Sequence, residues 1–516
     1  MTERALFLGP HTLILSFFTP PLSPPPPPPP HPHTADVPPG CVIIVGAGIA
    51  GLATALALHR VGIPALVLEA GPAPRREGAS ISLWTNGFKA LDYLGVGEAV
   101  RRGGAVPGGA GVGSFALDGV TLMTAGGNVL TDVDYAAAGG GPHEARGVLR
   151  GELMAALAGP LPPGTVRYSS PVLAAAAVGD GAVVVLGEAG GGAGGSTAPS
   201  PPQKKRVELR CRAVVGADGV RSSIAGALGL GAPAYAGYTA YRGVAAFEAP
   251  ATAPASLASI ATRPRVLFGN GVRAGVVPLG GGRWYWFVTE NEPPDARRVS
   301  DPEAVRALAL AAVSSWAPTT GVGAAIAASP PHTLTKSRVV DRLGRPWAPA
   351  GGWAPAAGGG GGGGRSPGPV TLVGDAAHPT TPNLAQGGGL GLEDAVVLAR
   401  CLAGATPTDG RTRPSPADDA AALRSFEAQR AGRAFFVTLK SRLIGLVGQV
   451  SGPPPILAVR DFIIAKGAGN EASLLGHTMF DVGPLPAPVV ARVSGGKGGG
   501  RGGGGSGVVV GAQAKV

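Results

Sequence analysis

The chain has 516 residues, enough for two domains with a sizeable core, and its 87 glycines and 52 prolines fall largely in runs that read as loop and tail padding, not as a fibrous repeat. Its net charge of +11 is carried by scattered Lys and Arg with no zinc finger, basic helix or RNA-binding aromatic motif. That argues against a nucleic-acid partner and for a solvated surface or an anionic small molecule. Three distant cysteines, Cys41, Cys211 and Cys401, form neither a disulfide framework nor a zinc pattern and suit a reducing compartment. No apolar run reaches the roughly 18 residues of a transmembrane helix, which leaves only peripheral membrane contact open.

Residues 1–40 stand apart. "ALFLGPHTLILSFF" is broken by Gly9 and Pro10, and "PPLSPPPPPPPHPH" can only be extended polyproline. This extension is expected outside the fold and is compatible with a targeting segment. Folded sequence begins at Cys41. "CVIIVGAGIAGLATALALHRVGIPALVLEA" (41–70) has every part of a dinucleotide-binding βαβ unit. A short buried strand runs into Gly46, Gly48 and Gly51, the first for a tight turn, the second for close approach to a pyrophosphate, the third for helix–strand packing. With Ala47, Ile49 and Ala50 they form the turn and the helix start, whose N–H groups and dipole favour phosphate. A second strand ends at Glu69, a carboxylate able to accept ribose hydroxyls and favouring an unphosphorylated ribose.

Further along, residues 187–205 read as a long loop. The strand ending "VVGADGVRSS" (214–223) then carries Asp218 and Gly219. Residues 235–349 carry strand signals such as "GVRAGVVPLG" and "RWYWFVTE", in which Tyr241, Arg242, Trp284, Tyr285 and Trp286 are candidates for a substrate cavity, alternation sending only some of them inward. A glycine run opens a loop at 350–365. "TLVGDAAHPTTPNLAQGGG" (371–389) repeats the strand–Gly–Asp theme with Asp375. Taken singly, Asp218 and Asp375 read as turn or N-cap residues, His378 as a structural histidine, and Glu393 and Asp394 as stabilisers of their own helix's first turn. The chain closes with helical sequence to 450, a segment 451–493 and a glycine-rich tail 494–516.

Together the three motifs, at 46–51, 216–222 and 374–391, resemble the class A FAD-dependent monooxygenases of the p-hydroxybenzoate hydroxylase type, and most closely their zeaxanthin epoxidase-like and plant monooxygenase-like branch. The resemblance implies an α/β fold: a Rossmann-like FAD-binding domain built discontinuously from 41–234 and 366–450, an inserted, mostly antiparallel substrate domain at 235–349, and C-terminal helices. It implies non-covalent FAD, with NAD(P)H as electron donor and O2 taken up at flavin C4a, one oxygen passing to an aromatic or isoprenoid-type molecule by hydroxylation or epoxidation. It carries Arg75 and Arg150 over as FAD contacts, gives Asp218 to both FAD and the nicotinamide, and gives Asp375 to the ribityl chain. Pro382 is implied over the flavin, with the Gly387–Gly388 helix start at its N1/O2 edge. Arg430 and Arg433 resemble a late family motif and read as ion pairs between helices. Three positions depart from the pattern: Ala385 for Gly, Gly389 for Cys or Asn, and Ala225 for Arg. The first two are expected to touch the flavin-facing loop. A reductase or dehydrogenase on the same fold, and a flavin-binding protein without monooxygenase activity, stay open. The plant-like branch and the N-terminal extension favour a plastid or other organelle over the cytoplasm.

Overall fold

The computed structural model describes residues 37–74, 80–102, 114–137, 143–178, 181–186, 207–247, 250–344, 353, 368–407, 414–468 and 475–488. The extension up to residue 36, the loop 187–205, the glycine insertion apart from Trp353, the tail 494–516 and Arg75 lie outside the described residues.

Val42–Val45 is the centre of a five-stranded parallel sheet. Ala65–Leu68 flanks it on one side and Ala213–Gly216 on the other, with Val166–Arg167 and Val370–Leu372 at the edges. The three central strands are short apolar runs with no alternation, as expected when helices cover both faces. Parallel pairing puts all their C-terminal ends on one edge. This is why Gly46, Asp218 and Asp375, so far apart in the chain, meet. The helix Ile49–Arg60 packs against Gly387–Gly404, and the long helix Pro416–Gly448 backs the latter. Ser415 and Asp418 form a reciprocal capping box at its start.

A seven-stranded sheet forms the other half, in the order Thr335–Asp341, Ala234–Ala246, Arg283–Asn291, Val272–Gly280, Arg265–Phe268, Gly119–Thr124, Val129–Asp134. All neighbours are antiparallel except Arg265–Phe268 with Gly119–Thr124. The boundary drawn at 235 therefore needs correcting, because the 119–134 hairpin lies within the stretch assigned to the FAD-binding domain yet completes the substrate sheet. A hairpin's own sequence specifies its turn and alternation, not the sheet whose edge it joins.

The sheet's two faces differ as strand periodicity requires. Trp284, Trp286 and Val288 pack under the helices Pro302–Ala312 and Val322–Ala327, whereas Tyr285, Phe287 and Thr289 face the parallel sheet's C-terminal edge. Of the five cavity candidates, Tyr241, Trp284 and Trp286 are thus core residues, and Arg242 and Tyr285 reach the cleft.

Candidate cofactor and substrate site

A cleft of about 550 Å3 runs between the strand ends of the parallel sheet and the open face of the seven-stranded sheet. Its walls include Gly48, Ile49, Ala50, Arg150, Gly219 and Asp375 at one end, and Arg242, Arg273, Tyr285 and Phe287 at the other. Pro382, Ala385, Gly387 and Gly388 lie on the wall as well.

The glycines of the first motif separate by cause. Gly46 has φ +105°, and a Cβ there would lie 2.6 Å from the Ala217 carbonyl oxygen. A Cβ on Gly51 would lie 1.9 Å from the Gly46 carbonyl oxygen. Both are glycine because the protein's own backbone needs the room. Gly48 has an ordinary extended conformation and nothing within 4 Å of its missing Cβ. No protein atom demands glycine at this position, which lines the cleft, so the open space there fits a cofactor backbone drawn close. No side chain caps the helix that starts beside it, leaving N–H groups for phosphate.

Glu69 sits at the end of its strand, where Oε2 accepts the Ala47 N–H at 2.8 Å and Oε1 the Gly71 N–H at 2.8 Å. Each oxygen keeps a further acceptor site for a ribose hydroxyl. Arg150 opens the helix Arg150–Ala158 and forms no ion pair or hydrogen bond among the described residues. Asp218 works mainly within its own loop, where Oδ2 accepts Ser223 N–H at 2.7 Å and Ser223 Oγ–H at 3.1 Å. Its neighbour Gly219 lines the cleft, while the other Asp218 oxygen is buried with no hydrogen-bond partner among the described residues.

Asp375 differs from Asp218. Its side chain opens into the cleft and forms no hydrogen bond among the described residues. The surrounding protein raises its pKa above the usual carboxylate range, opposed by His378 and Arg150. A carboxylate and a guanidinium that face the cleft, neither hydrogen-bonded among the described residues, fit a polyhydroxylated, phosphorylated cofactor.

The Asp375 turn is held from behind. Asp394 Oδ2 accepts the Gly374 N–H at 2.8 Å and the His378 Nε2–H at 2.7 Å, and Asp394 Oδ1 accepts Arg430 Nε–H at 2.7 Å. Burial works to raise the Asp394 pKa, but His378 and Arg430 overcome it and hold the group down at about 2. Glu393 accepts from Arg430 at 2.6 Å, from Arg433 at 2.9 Å and from Asn86 Nδ2 at 2.6 Å. Arg430 and Arg433 do form ion pairs between helices. Glu393 and Asp394, expected to serve their own helix's first turn, instead clamp the Gly374 turn and the neighbouring helix.

The helix Gly387–Gly404 begins on the cleft with no side-chain cap, so its first N–H groups are free. Ala385, where glycine was expected, keeps glycine's conformation at φ +51° and lines the cleft. Gly389 does not. Its missing Cβ would lie 2.9 Å from Asn86 Nδ2, so glycine there makes room for the Asn86 bridge between Gln386 and Glu393. The expectation that position 389 touches the flavin-facing loop is corrected accordingly. Ala225 is fully buried in the core behind the sheet.

Arg273 was not anticipated as a site residue. It is buried beside Phe287, 5.4 Å from the ring centroid, with no carboxylate partner among the described residues. Burial lowers its pKa. Nη1 donates to Asn383 Oδ1 at 2.8 Å, and Asn383 Nδ2 donates to Tyr238 Oη at 3.0 Å and to the Ser441 carbonyl at 2.8 Å. The signal was present in "GVRAGVVPLG": an arginine inside an otherwise apolar central strand is rarely tolerated without a task.

These features define a protein that holds a dinucleotide and a second small molecule in one cleft. A family model described as an FAD binding domain matches residues 41–132 and 365–431. Aurachin C monooxygenase/isomerase of Stigmatella aurantiaca is 31% identical over 413 residues, 79% of this chain and 89% of that protein. The 2-heptyl-3-hydroxy-4(1H)-quinolone synthase of Pseudomonas aeruginosa is 29% identical over 428 residues, 80% of this chain and 90% of that one. Among solved structures, Klebsiella pneumoniae HpxO complexed with FAD and uric acid superposes with a TM-score of 0.65 at 25% identity, covering 86% of this chain and 98% of that one. The chain belongs to the FAD-dependent monooxygenases.

Proposed function

We propose that this monooxygenase uses NAD(P)H and O2 to hydroxylate a planar, oxygen-bearing heteroaromatic ring, of the quinolone or urate kind. One observation carries the reading: a single cleft has a dinucleotide end and, facing it, a substrate end lined by two aromatic rings and two arginines that have no carboxylate partner among the described residues. Relatives named for a quinolone product and for a uric acid complex support the ring chemistry.

FAD, when bound, supplies the redox and oxygen-transfer chemistry. The chain's residues bind and orient. Arg150 and the uncapped start of Ile49–Arg60 would hold the phosphates, Glu69 and Asp375 the hydroxyls. The free N–H groups at Gly387 and Gly388 offer positive charge to an electron-rich ring edge. In the substrate end, Tyr285 and Phe287 flank a flat ring, and Arg242 and Arg273 stabilise an acidic or enolic oxygen on it. Val277 and Ala240 keep that end apolar and exclude water.

The test is an anaerobic NADPH titration of the purified holoenzyme followed by isotopically labelled O2, with a 4-hydroxyquinolone and urate as candidates. The expected result is flavin bleaching by NADPH and label in a hydroxylated ring product. Bleaching with peroxide as the only oxygen product, across ring compounds of this class, would turn the assignment toward a reductase.

A further inference from the structure

The last two helices leave an apolar face uncovered. On Pro416–Gly448, Phe436, Leu443 and Leu446 are 52–64% exposed at roughly helical spacing. On the next helix, Pro454–Ala468, Ile456, Val459, Phe462 and Ile463 are 49–63% exposed. That helix rests on Val129–Asp134 and on the end of Pro416–Gly448, and its buried Arg460 donates to the Gly269 carbonyl. So many large apolar side chains on consecutive helices exceed the scattered exposure normal for a soluble surface.

The charge of the C-terminal sequence points to the occupant of this face. From Arg430 to the end, the sequence holds ten Lys/Arg and three Asp/Glu, so +7 of the net +11 lies in this stretch. Arg430 and Arg433 are neutralised internally by Glu393 and Asp394, and Arg442 by Asp341, but two of the three acids are also paired, Asp461 with Arg460 and Asp481 with Lys89. Lys466 stands on the apolar helix itself, and the sequence after 488 adds Arg492, Lys497, Arg501 and Lys515 with no acid. Bulky apolar side chains on these helices, with Lys466 at the end of the second and a basic, acid-free sequence after 488, match the chemistry of an anionic lipid surface. Among the described residues no helix is long and apolar enough to cross a membrane, so the fit is to the surface alone.

A second cavity of about 480 Å3 ties this face to the site. Leu446 lines it together with Tyr238, Arg442, Gln449 and Thr381, and Thr381 also lines the main cleft. We propose that the face formed by Pro416–Gly448 and Pro454–Ala468 docks on an anionic bilayer, with the Leu446 cavity opening toward the lipid.

The experiment is co-flotation of the full-length holoenzyme with vesicles of phosphatidylcholine alone or mixed with phosphatidylglycerol. Flotation is expected on the mixed vesicles, less on the neutral ones, and it should fall with added salt. Val459→Ser combined with Phe462→Ser should weaken binding at least about tenfold while leaving the flavin spectrum unchanged. Phe436→Ser with Leu443→Ser, on the other helix, serves the same purpose should the first pair fail to fold. Wild type that does not float, or variants that float equally, would overturn the proposal. So would a lipid-free dimer in analytical ultracentrifugation that the substitutions dissolve, since the face would then belong to a second copy. These readouts do not depend on the identity of the ring substrate.

Discussion

Replacing Gly48 and Gly51 separately by alanine should give opposite outcomes, although both glycines belong to one motif. At Gly48 the new methyl meets no protein atom within 4 Å, and the backbone is extended, so the apoprotein should keep its stability. It should even gain about 0.4–1 kcal/mol, because alanine restricts the unfolded chain. The methyl enters the cleft where a pyrophosphate must approach, so FAD affinity should fall, by on the order of 2 kcal/mol or about thirtyfold if one charge-assisted hydrogen bond is lost. At Gly51 the methyl would stand 1.9 Å from the Gly46 carbonyl oxygen and 3.3 Å from the Ala217 methyl. The fingerprint helix must then move off its strand, at about 1–3 kcal/mol or more for overpacking. Urea unfolding of the two apoproteins, with FAD fluorescence quenching for affinity, separates the two effects. A Gly48→Ala protein that binds FAD like wild type would refute the argument that the open space beside Gly48 belongs to the cofactor.

Asp375 forms no protein hydrogen bond among the described residues, so Asp375→Ala should leave apoprotein stability unchanged while FAD affinity falls by about 1–3 kcal/mol, with more NADPH oxidation ending as peroxide; Asp375→Asn should fall between, and titration with a peroxide assay checks both. Ala385→Gly removes a left-handed alanine and should stabilise the protein by about 1 kcal/mol, read as a rise in Tm with the flavin spectrum retained. Burial raises the Glu427 pKa from 4.5 to about 7 against the pull of Arg424, so the folded state binds this proton more tightly than the unfolded chain. Its contribution is fully present below about pH 4.5 and lost as pH rises through about 7, on the order of 3 kcal/mol. Glu427→Gln should accordingly flatten the fall in stability between about pH 5 and 8, and urea midpoints across that range should show the variant gaining on wild type.

What the sequence showed and what it hid divide along physical lines. The fingerprint was legible because Gly46 and Gly51 answer to contacts a few residues away or to one fixed neighbouring strand, and such needs recur as a local pattern. Gly48 was legible because the ligand imposes the same need on every fold of the kind. The alternation of "RWYWF" told that only some of its side chains face inward, but not which face is inward, since both carry aromatic rings. The 119–134 hairpin was placed in the wrong half because edge pairing leaves no mark on the joining strand. Asn86, Gln386 and Asn383 were missed for a related reason: each is an ordinary polar residue whose partner lies more than fifty residues away in the chain.

The buried cluster of Glu393, Asp394, Arg430 and Arg433 raises the question of what four charges do in an interior that apolar side chains could fill. Removing two ions from water costs several kcal/mol each, and their attraction does little more than restore it, so net stability is a weak reason to keep them. Position is a better one. Asp394 holds the Gly374 N–H and so fixes the turn that presents Asp375 to the cleft. It sits on the same helix whose first free N–H groups, at Gly387 and Gly388, line that cleft. Arg430 ties that helix to its neighbour, and Ser441 on the same neighbour binds Thr381 at 2.8 Å in the Pro382 loop. Apolar packing is non-directional and tolerates sliding by a fraction of an ångström, whereas a hydrogen-bonded carboxylate with three fixed donors does not. A cleft that must hold one ring at a set distance from a carboxylate on one side and a helix start on the other has use for that rigidity. The strand end and the helix start are therefore held in register by a single side chain, which His378 and Arg430 keep ionised in the core, while Arg433 completes the pairing of the second carboxylate, Glu393.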